Sequence, residues 1–334
     1  MQQVVQSACR PICRPRRNRA TPAIRALVQE TQLDPSQLVM PLFVQEGHRL
    51  KTAIECMPDV FRLSIDELCA QVKECYELGI RCVNLFCYVP QELRDATGSE
   101  AVRQNNLLQR AIGAVKNAVP ELCVMADIAL DPFTSHGHDG LIDETGYVLN
   151  DETVDLLVEM SLSVAEAGAD FVSPSDMMDG RVQAMRQALD RAGYINVGIL
   201  AYSAKYASSL YGPFRDVLDS SPKIGDKKNY QLNPANIREA LIECRLDEEE
   251  GADMLLVKPA LTNLDVLTRL RQQTHLPIGA YQVSGEWAMI KAAASKGWLD
   301  GDRVLLETLL SIRRAGADFI FTYGAMHACR LLLT

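Results

Sequence analysis

The sequence predicts an α/β protein, a (β/α)8 TIM barrel with an extended N-terminal arm, and three observations predict it. First, a short junction recurs. It reads Ala167-Gly-Ala-Asp170 before Phe171, Glu250-Gly-Ala-Asp253 before Met254, Ala315-Gly-Ala-Asp318 before Phe319, and more loosely Glu77-Leu-Gly-Ile80 before Arg81. Each junction joins a helical stretch to a short apolar strand through a glycine suited to a helix C-terminal cap. Helix, glycine and strand in repetition imply parallel strands with helical crossovers. Second, about eight such strands can be counted, the number that closes a barrel. Third, no G-x-G-x-x-G follows the first strand and no G-x-x-x-x-G-K-[ST] occurs, which disfavours the doubly wound nucleotide-binding sheet that alternates in the same way.

The arm comes first, over residues 1–36. Its first 29 residues contain no acidic residue and carry arginines at 10, 14, 16, 17, 19 and 25. That composition is similar to an organelle transit peptide. Pro11, Pro15 and Pro22 interrupt an amphipathic helix, however, and no apolar signal core is present. An arm that grips another subunit accounts for the same residues, so the expected location is cytoplasmic, with organellar targeting as the alternative. Residues 37–334 form the catalytic barrel. Its strands are expected at 38–44, 81–87, 122–130, 170–175, 197–204, 254–258, 278–283 and 318–323. Helices are expected at 151–167, 180–192, 234–250 and 286–296.

Composition narrows the function. The 334 residues are 48% hydrophobic and 23% charged, an ordinary globular balance. A net charge of −9 argues against general nucleic-acid binding. No apolar run approaches the roughly 18 residues that span a bilayer, so no membrane partner is expected. Ten cysteines include no C-x-x-C pair, and the closest spacings, Cys9/Cys13 and Cys82/Cys87, match no zinc finger. Reduced, mostly buried thiols are expected.

Two lysines point to chemistry. Lys205 lies in Gly198-Ile-Leu-Ala-Tyr-Ser-Ala-Lys205, and Lys258 closes the apolar run Met254-Leu-Leu-Val-Lys258. Lysine is seldom buried unless paired or put to use. Low dielectric lowers its pKa and frees the amine as a nucleophile. Barrel active sites lie at the C-terminal strand ends, so neighbouring fifth and sixth strands aim both amines at one mouth. A polar segment, 208–231, follows Lys205 without predicted structure, and long loops of this kind are usually lids. On it Arg215, Lys227 and Lys228 are placed to clamp a carboxylate.

Other strand ends add polar groups. Asp127, Asp131, His136, His138, Asp139 and Asp143 cluster after the third strand. They suit a hard-cation site, a general acid/base cluster, or both, and Asp127 and Asp131 share one strand face. Tyr281 and Ser284 flank the seventh strand end, and Thr322 and Tyr323 close the eighth.

Several stretches resemble the porphobilinogen synthase (delta-aminolevulinic acid dehydratase) family. They are Asp-Pro-Phe-Thr-Ser-His-Gly-His-Asp-Gly (131–140), Ser-Pro-Ser-Asp-Met-Met-Asp-Gly-Arg-Val (173–182) and Ala-Tyr-Ser-Ala-Lys-Tyr-Ala-Ser (201–208). Tyr-Gly-Pro-Phe-Arg (211–215), Glu-Gly-Ala-Asp-Met-Leu-Leu-Val-Lys-Pro (250–259) and Tyr-Gln-Val-Ser-Gly-Glu (281–286) complete the set. The resemblance runs from about Arg14 to the C-terminus.

It implies that two 5-aminolevulinate molecules condense to porphobilinogen with loss of two waters, each held as a lysine Schiff base, in tetrapyrrole biosynthesis. By the resemblance, Lys258 binds the first substrate (the propionate side) and Lys205 the second (the acetate side). Arg215 and Lys227 match positions for the second substrate's carboxylate, and Ser284 and Tyr323 those for the first. Asp127, Asp131, Asp139, Ser175, Tyr211 and Tyr281 support the site. A homo-oligomer, an octamer, is implied as well.

Zinc-dependent members carry three cysteines where this chain has Ala129, Asp131 and Asp139. No active-site zinc and no organic cofactor are therefore expected. The chain resembles the aspartate-type, magnesium-responsive branch, and by that resemblance Glu243 matches the allosteric magnesium position. Asn233 and Pro234 read as the start of the Glu243 helix. Ile237, Ala240, Leu241 and Cys244 form its buried stripe, leaving Glu243 about 110° away and outward-facing.

Two departures stand out. Lys227 replaces an arginine found in part of the family. The family's Gly-x-Pro-Tyr-Leu-Asp after the lysine-proline pair reads Ala260-Leu-Thr-Asn-Leu-Asp265 here, so the backbone at Ala260 is expected to tighten. The alternatives are another class I Schiff-base aldolase-like barrel, or a weakly active barrel kept for binding or assembly.

Overall fold

The computed structural model describes residues 13–333, so Cys9, Arg10 and Pro11 of the expected arm lie outside the described residues. The chain separates into two compact units that divide after Gln32. In the first, a 3-10 turn (Pro15–Arg19) and α1 (Pro22–Leu27) each open on a proline at the first helical turn. Thr21 Oγ1 caps α1 by accepting the Ile24 N–H at 3.2 Å. These prolines start helices rather than breaking them, because the first turn needs no N–H from proline.

The second unit is a closed barrel. Its strands are β1 (Leu38–Val44), β2 (Lys51–Ala53), β3 (Phe61–Leu63), β4 (Cys82–Cys87), β5 (Cys123–Ile128), β6 (Phe171–Pro174), β7 (Gly198–Lys205), β8 (Met254–Lys258), β9 (Ile278–Gln282) and β10 (Phe319–Thr322). The helices are α2 (Ile65–Glu77), α3 (Leu107–Ala118), α4 (Asn150–Glu166), α5 (Arg181–Arg191), α6 (Gly212–Leu218), α7 (Arg238–Glu249), α8 (Leu264–Arg271), α9 (Ser284–Ser295), α10 (Gly301–Ala315) and α11 (Ala325–Leu332). Strands β1, β4, β5, β6, β7, β8, β9 and β10 pair in parallel in that order. Leu38 against Ile320 and Val39 against Phe321 close the ring. The eight expected strands are these eight.

The recurring Gly-Ala-Asp junction has two physical jobs. Gly168, Gly251 and Gly316 adopt φ of 100°, 102° and 123°, a region that L side chains rarely enter. Each following aspartate then reaches the preceding barrel strand. Asp170 accepts the Val124 N–H, Asp253 the Ile199 N–H and Asp318 the Ile278 N–H, all at 2.8 Å. The repeat ends a helix and pins a neighbouring strand at the bottom of the barrel.

Four expectations need correction. The β2–β3 hairpin was not foreseen. Its strand Lys51–Ala53 is fully exposed and carries no apolar signal, though β3 adds to β1. The third barrel strand stops at Ile128 rather than residue 130. The chain then curls so that Leu130 N–H bonds Asp139 O at 3.0 Å, and Asp127 and Asp131 do not share a strand face. Segment 208–231 contains a 3-10 turn (Ser209–Tyr211) and α6, so it is partly helical. Finally, α7 begins at Arg238, not Pro234. Asn233 accepts the Ala235 N–H through Oδ1 and the Asn236 N–H through its carbonyl, both at 2.9 Å. Asn-Pro here makes a separate turn before the helix.

Candidate active site

Strand β7 carries one more residue than its neighbour. Ala201 pairs with Leu255 and Ala204 with Val257, so Tyr202 and Ser203 together oppose Leu256. This is a bulge, which shifts side-chain parity along one strand only. Beyond it Lys205 is in register with Lys258. Two lysines from adjacent strands therefore stand side by side at the C-terminal mouth, both buried.

Their surroundings differ sharply. Lys205 Nζ donates to Asp139 Oδ2 at 3.0 Å and to the carbonyl of Ser175. Asp139 Oδ1 accepts from Lys227 Nζ at 2.6 Å, and Asp131 lies 3.6 Å from the same ammonium. Burial alone works to raise the Asp139 carboxyl, but Lys205 and Lys227 outweigh it and hold the group well below the usual carboxylate range. Lys227 is opposed by its own burial, and Asp131 and Asp139 more than restore it, so its pKa lies above the ordinary value.

The Nζ of Lys258 makes no hydrogen bond or ion pair among the described residues. Its Nζ lies 4.5 Å from the ring centre of Tyr281, 5.1 Å from Phe214, and 5.2 Å from Tyr202 and from Tyr211. Burial, then the charge of Lys205, pushes its pKa down to about 7. Asp127, facing the same space, is pushed up to about 7 by burial and by Asp131. One of its oxygens is buried without a partner. An amine and a carboxyl poised near neutrality in one cavity suit proton transfer.

The cavity between the lysines is lined by Asp127, Asp131, Asp139, Ser175, Tyr211, Arg215 and Lys227, with Phe86, Phe214 and Gln231. Its volume is about 30 Å³, room for about one water. Tyr211, Phe214, Arg215, Lys227 and Gln231 of segment 208–231 form part of its wall. Arg215 projects from α6 with its guanidinium free of hydrogen bonds and ion pairs among the described residues, whereas Lys227 is already paired.

The remaining expected residues sit around this centre. Tyr323 Oη lies 3.0 Å from Tyr281 Oη, behind Lys258. Ser284 is engaged with the lid: its Oγ donates to Leu210 O at 3.2 Å and accepts the Phe214 N–H at 3.1 Å. Lys228 pairs outside the cavity with Asp226 at 3.0 Å.

Ala260 has φ −83° and ψ −58°, a conformation open to any L residue. Asn263 Nδ2 donates to Pro259 O at 2.9 Å, and Glu286, raised to about 7 by burial, accepts the N–H of Leu261 at 2.7 Å and of Val283 at 2.5 Å.

Glu243 lies elsewhere and does not face outward. It is half-buried and lines a separate cavity of about 210 Å³ with Asn150, Asp179, Glu239 and Lys228. The exposed residues of α7 are Arg238, Ile242, Arg245, Leu246 and Glu249. The fully buried Arg181, 3.3 Å from Asp247 and 3.6 Å from Asp176, draws the Asp247 side of the helix inward, and Glu243 lies beside it. Burial and Asp247 push Glu243 up to about 6. No three His, Cys, Asp or Glu side chains among the described residues are grouped to hold a metal ion.

Sequence reasoning missed Tyr202 and Phe214 around Lys258. Period-two reading places Tyr202 and Lys205 on opposite faces, and only the bulge reconciles them. It also missed Arg94, whose position between strand and helix carries no motif.

The comparisons agree with the geometry. The family profile described as delta-aminolevulinic acid dehydratase matches residues 12–331. A chloroplastic delta-aminolevulinic acid dehydratase of Physcomitrium patens is 54% identical over 320 residues, 96% of this chain and 74% of that protein. The delta-aminolevulinic acid dehydratase of Chlamydia pneumoniae is 52% identical over 319 residues, 96% of each chain. The crystal structure of the Toxoplasma gondii ME49 enzyme in complex with its product porphobilinogen superposes with a TM-score of 0.94 at 50% identity, covering 96% of this chain and 91% of that one. The chain belongs to the delta-aminolevulinic acid dehydratase family.

Proposed function

We propose that Lys258 and Lys205 are the two covalent attachment points for the reaction that names this family. That reaction is a lyase reaction: two 5-aminolevulinate molecules condense to porphobilinogen with loss of two waters, in tetrapyrrole biosynthesis. The observation that carries the assignment is the register pairing of Lys205 with Lys258 across the bulge.

Lys258, depressed to about 7 by burial, offers a free amine at neutral pH. It attacks the ketone of the first substrate. The carbinolamine loses water to leave an iminium, which draws electrons from adjacent C–H bonds. Lys205 forms the second imine after passing its proton on, with Asp139 beside it as the counter-charge. Asp127, also near 7, takes and returns protons in the shared cavity. Arg215 receives the second substrate's carboxylate, since its guanidinium is unpaired. Lys227 joins it by sharing or leaving Asp139. Tyr323 and Ser284 receive the first substrate's carboxylate, with Ser284 exchanging its lid contacts for it. Asp131, Ser175, Tyr211 and Tyr281 hold the two amines in place. Borohydride trapping with 5-aminolevulinate, followed by peptide mass spectrometry, tests the assignment. Adducts on both lysines are expected, and folded protein with adduct on neither overturns it.

Glu243 is our candidate for a magnesium site. Supporting it are the hard oxygen donors of Asn150, Asp179 and Glu239 around the same cavity. Magnesium there would keep several of its waters, because this chain offers few carboxylates. Its chemistry would be electrostatic, neutralising acidic groups beside Arg181. We also propose a homo-octamer in the cytoplasm. Exposed Met289, Trp298 and Leu299 support assembly, and analytical ultracentrifugation checks its size. No helix among the described residues is long and apolar enough to cross a membrane.

A further inference from the structure

Two buried side chains outside the lid are spent on its backbone. Arg94, in the loop after β4, has no ion-pair partner among the described residues. Its guanidinium donates instead to carbonyls: Nε and Nη2 to Val89 O at 2.8 and 2.6 Å, Nη2 to Leu218 O at 2.8 Å, and Nη1 to Asp219 O at 2.6 Å. Leu218 and Asp219 end α6, the helix that carries Arg215. The C-terminus of a helix is its negative end and its last carbonyls lack intrahelical donors, so a buried cation there both caps and neutralises it. Asp219, at φ 49°, closes the helix, and Ser220 N–H returns to Arg215 O at 3.0 Å. Arg94 thus fixes the turn that orients Arg215.

The second contact comes from the loop after β5. His138 Nε2 lies 2.7 Å from Ile224 O. A carbonyl only accepts, so Nε2 carries the proton and Nδ1 is left to accept. Tyr230 Oη lies 3.3 Å from Nδ1 and accepts the Asp139 N–H at 3.3 Å. The chain of donors runs from Asp139 through Tyr230 and His138 to the lid. Beside it, Lys223 N–H donates to His136 O at 3.0 Å. A Cβ on Gly137 would stand 2.5 Å from Ser221 O, so lid and loop meet backbone to backbone. The two anchoring loops are themselves joined, by Ser135 N–H to Asp95 O at 2.8 Å.

We infer that Arg94 and His138 are positioning residues that clasp segment 218–224 shut over the lysines, Arg94 setting Arg215 and His138 tying the lid to the Asp139 that holds Lys205. This rests on the lid and lysine reading given above. Lid residues Arg215, Lys227 and Gln231 wall the cavity beside Lys205, so the clasp sets how completely the second subsite is assembled.

The test compares Arg94→Gln, Arg94→Lys, His138→Leu and His138→Gln with the parent by hydrogen exchange and by steady-state kinetics with 5-aminolevulinate. Arg94→Gln and His138→Leu are expected to speed amide exchange across 218–226 by about tenfold or more, from loss of charged or buried hydrogen bonds, with barrel strands unchanged. KM rises more than kcat falls, and borohydride adduct shifts from Lys205 toward Lys258. His138→Gln, which keeps an N–H for Ile224 O, is expected to restore most of the loss. Folded variants whose lid exchange and KM match the parent overturn the clasp, as does equal loss in His138→Gln and His138→Leu. Exchange is read without turnover. Faster lid exchange in a protein that forms no adduct would therefore sink the Schiff-base reading while leaving the clasp standing. If Arg94→Gln does not fold, the His138 pair and Arg94→Lys decide the matter.

Discussion

Lys205 and Lys258 occupy matching rungs of adjacent strands, yet one stands among carboxylates and the other among aromatic rings. Lys205 is held by Asp139 and the Ser175 carbonyl. Lys258 faces Tyr281, Phe214, Tyr202 and Tyr211 and has no anion in contact. The same residue type is kept as an ion pair on one side and as a near-neutral amine on the other. On the proposed assignment, a reaction that must tell two identical substrates apart gains its asymmetry from this contrast. The apolar side is ready for attack at neutral pH, whereas the charged side waits for proton transfer under the lid.

Removing the amine on the apolar side has the largest expected effect. Lys258→Ala should lower kcat by at least about a thousandfold, because the first covalent bond is lost. Steady-state assay with borohydride trapping checks it, and residual activity above a tenth of the parent would break the comparison.

On the charged side, Asp139→Asn leaves the buried Lys205 without its counter-charge and the buried Lys227 with Asp131 alone. We expect activity to fall about a hundredfold and stability to fall by about 3–5 kcal/mol, read by denaturant titration. An unchanged midpoint would show that the ion pairs are not what holds this side together.

The contrast also has a pH signature. Lys258 titrates near 7, so it is mostly ammonium at pH 6 and mostly free amine at pH 8. The initial rate of adduct formation at Lys258 should rise about tenfold over that interval. A profile that is flat there and climbs only above pH 9 would mean that burial does not depress this lysine.

Smaller effects are expected away from the lysines. Glu243→Gln should raise the magnesium concentration needed for half-maximal stimulation by about tenfold or more, with metal-free activity within about twofold. Identical magnesium titrations in mutant and parent would remove Glu243 from the site. Ala260→Gly should change kcat less than about twofold and cost roughly 0.5–1 kcal/mol through backbone entropy. A large gain in rate would instead show that Ala260 restrains Lys258.

Much of this was legible in the chain, for physical reasons. Several barrel strands announce themselves because a buried apolar run follows a capping glycine, and Lys205 and Lys258 stand out because lysine ends such runs. Asp139 was legible as a member of a polar cluster, but not as the group joining Lys205 to Lys227. Those partners lie 66 and 88 residues away along the chain. The Asn233-Pro234 pair misled because the same residues that open helices also make isolated turns. Glu243 misled because helical periodicity knows nothing of Arg181, which draws in a face made of Asp247 as well as apolar residues. Arg94 left no trace, since its partners are carbonyls, which every residue possesses.

The bulge at Tyr202 and Ser203 makes the enzyme's stoichiometry a matter of counting. In a regular β7 of the same length, Lys205, the fourth residue after Ala201, would oppose Pro259 rather than Lys258, one rung out of step and with its parity reversed. The spacing between the two tethered substrates is then written in whole residues of backbone, not in the reach of flexible side chains. A single residue inserted between Ala204 and Lys205 should leave a folded barrel with one usable lysine: a protein able to hold a substrate, with nothing placed to receive the second.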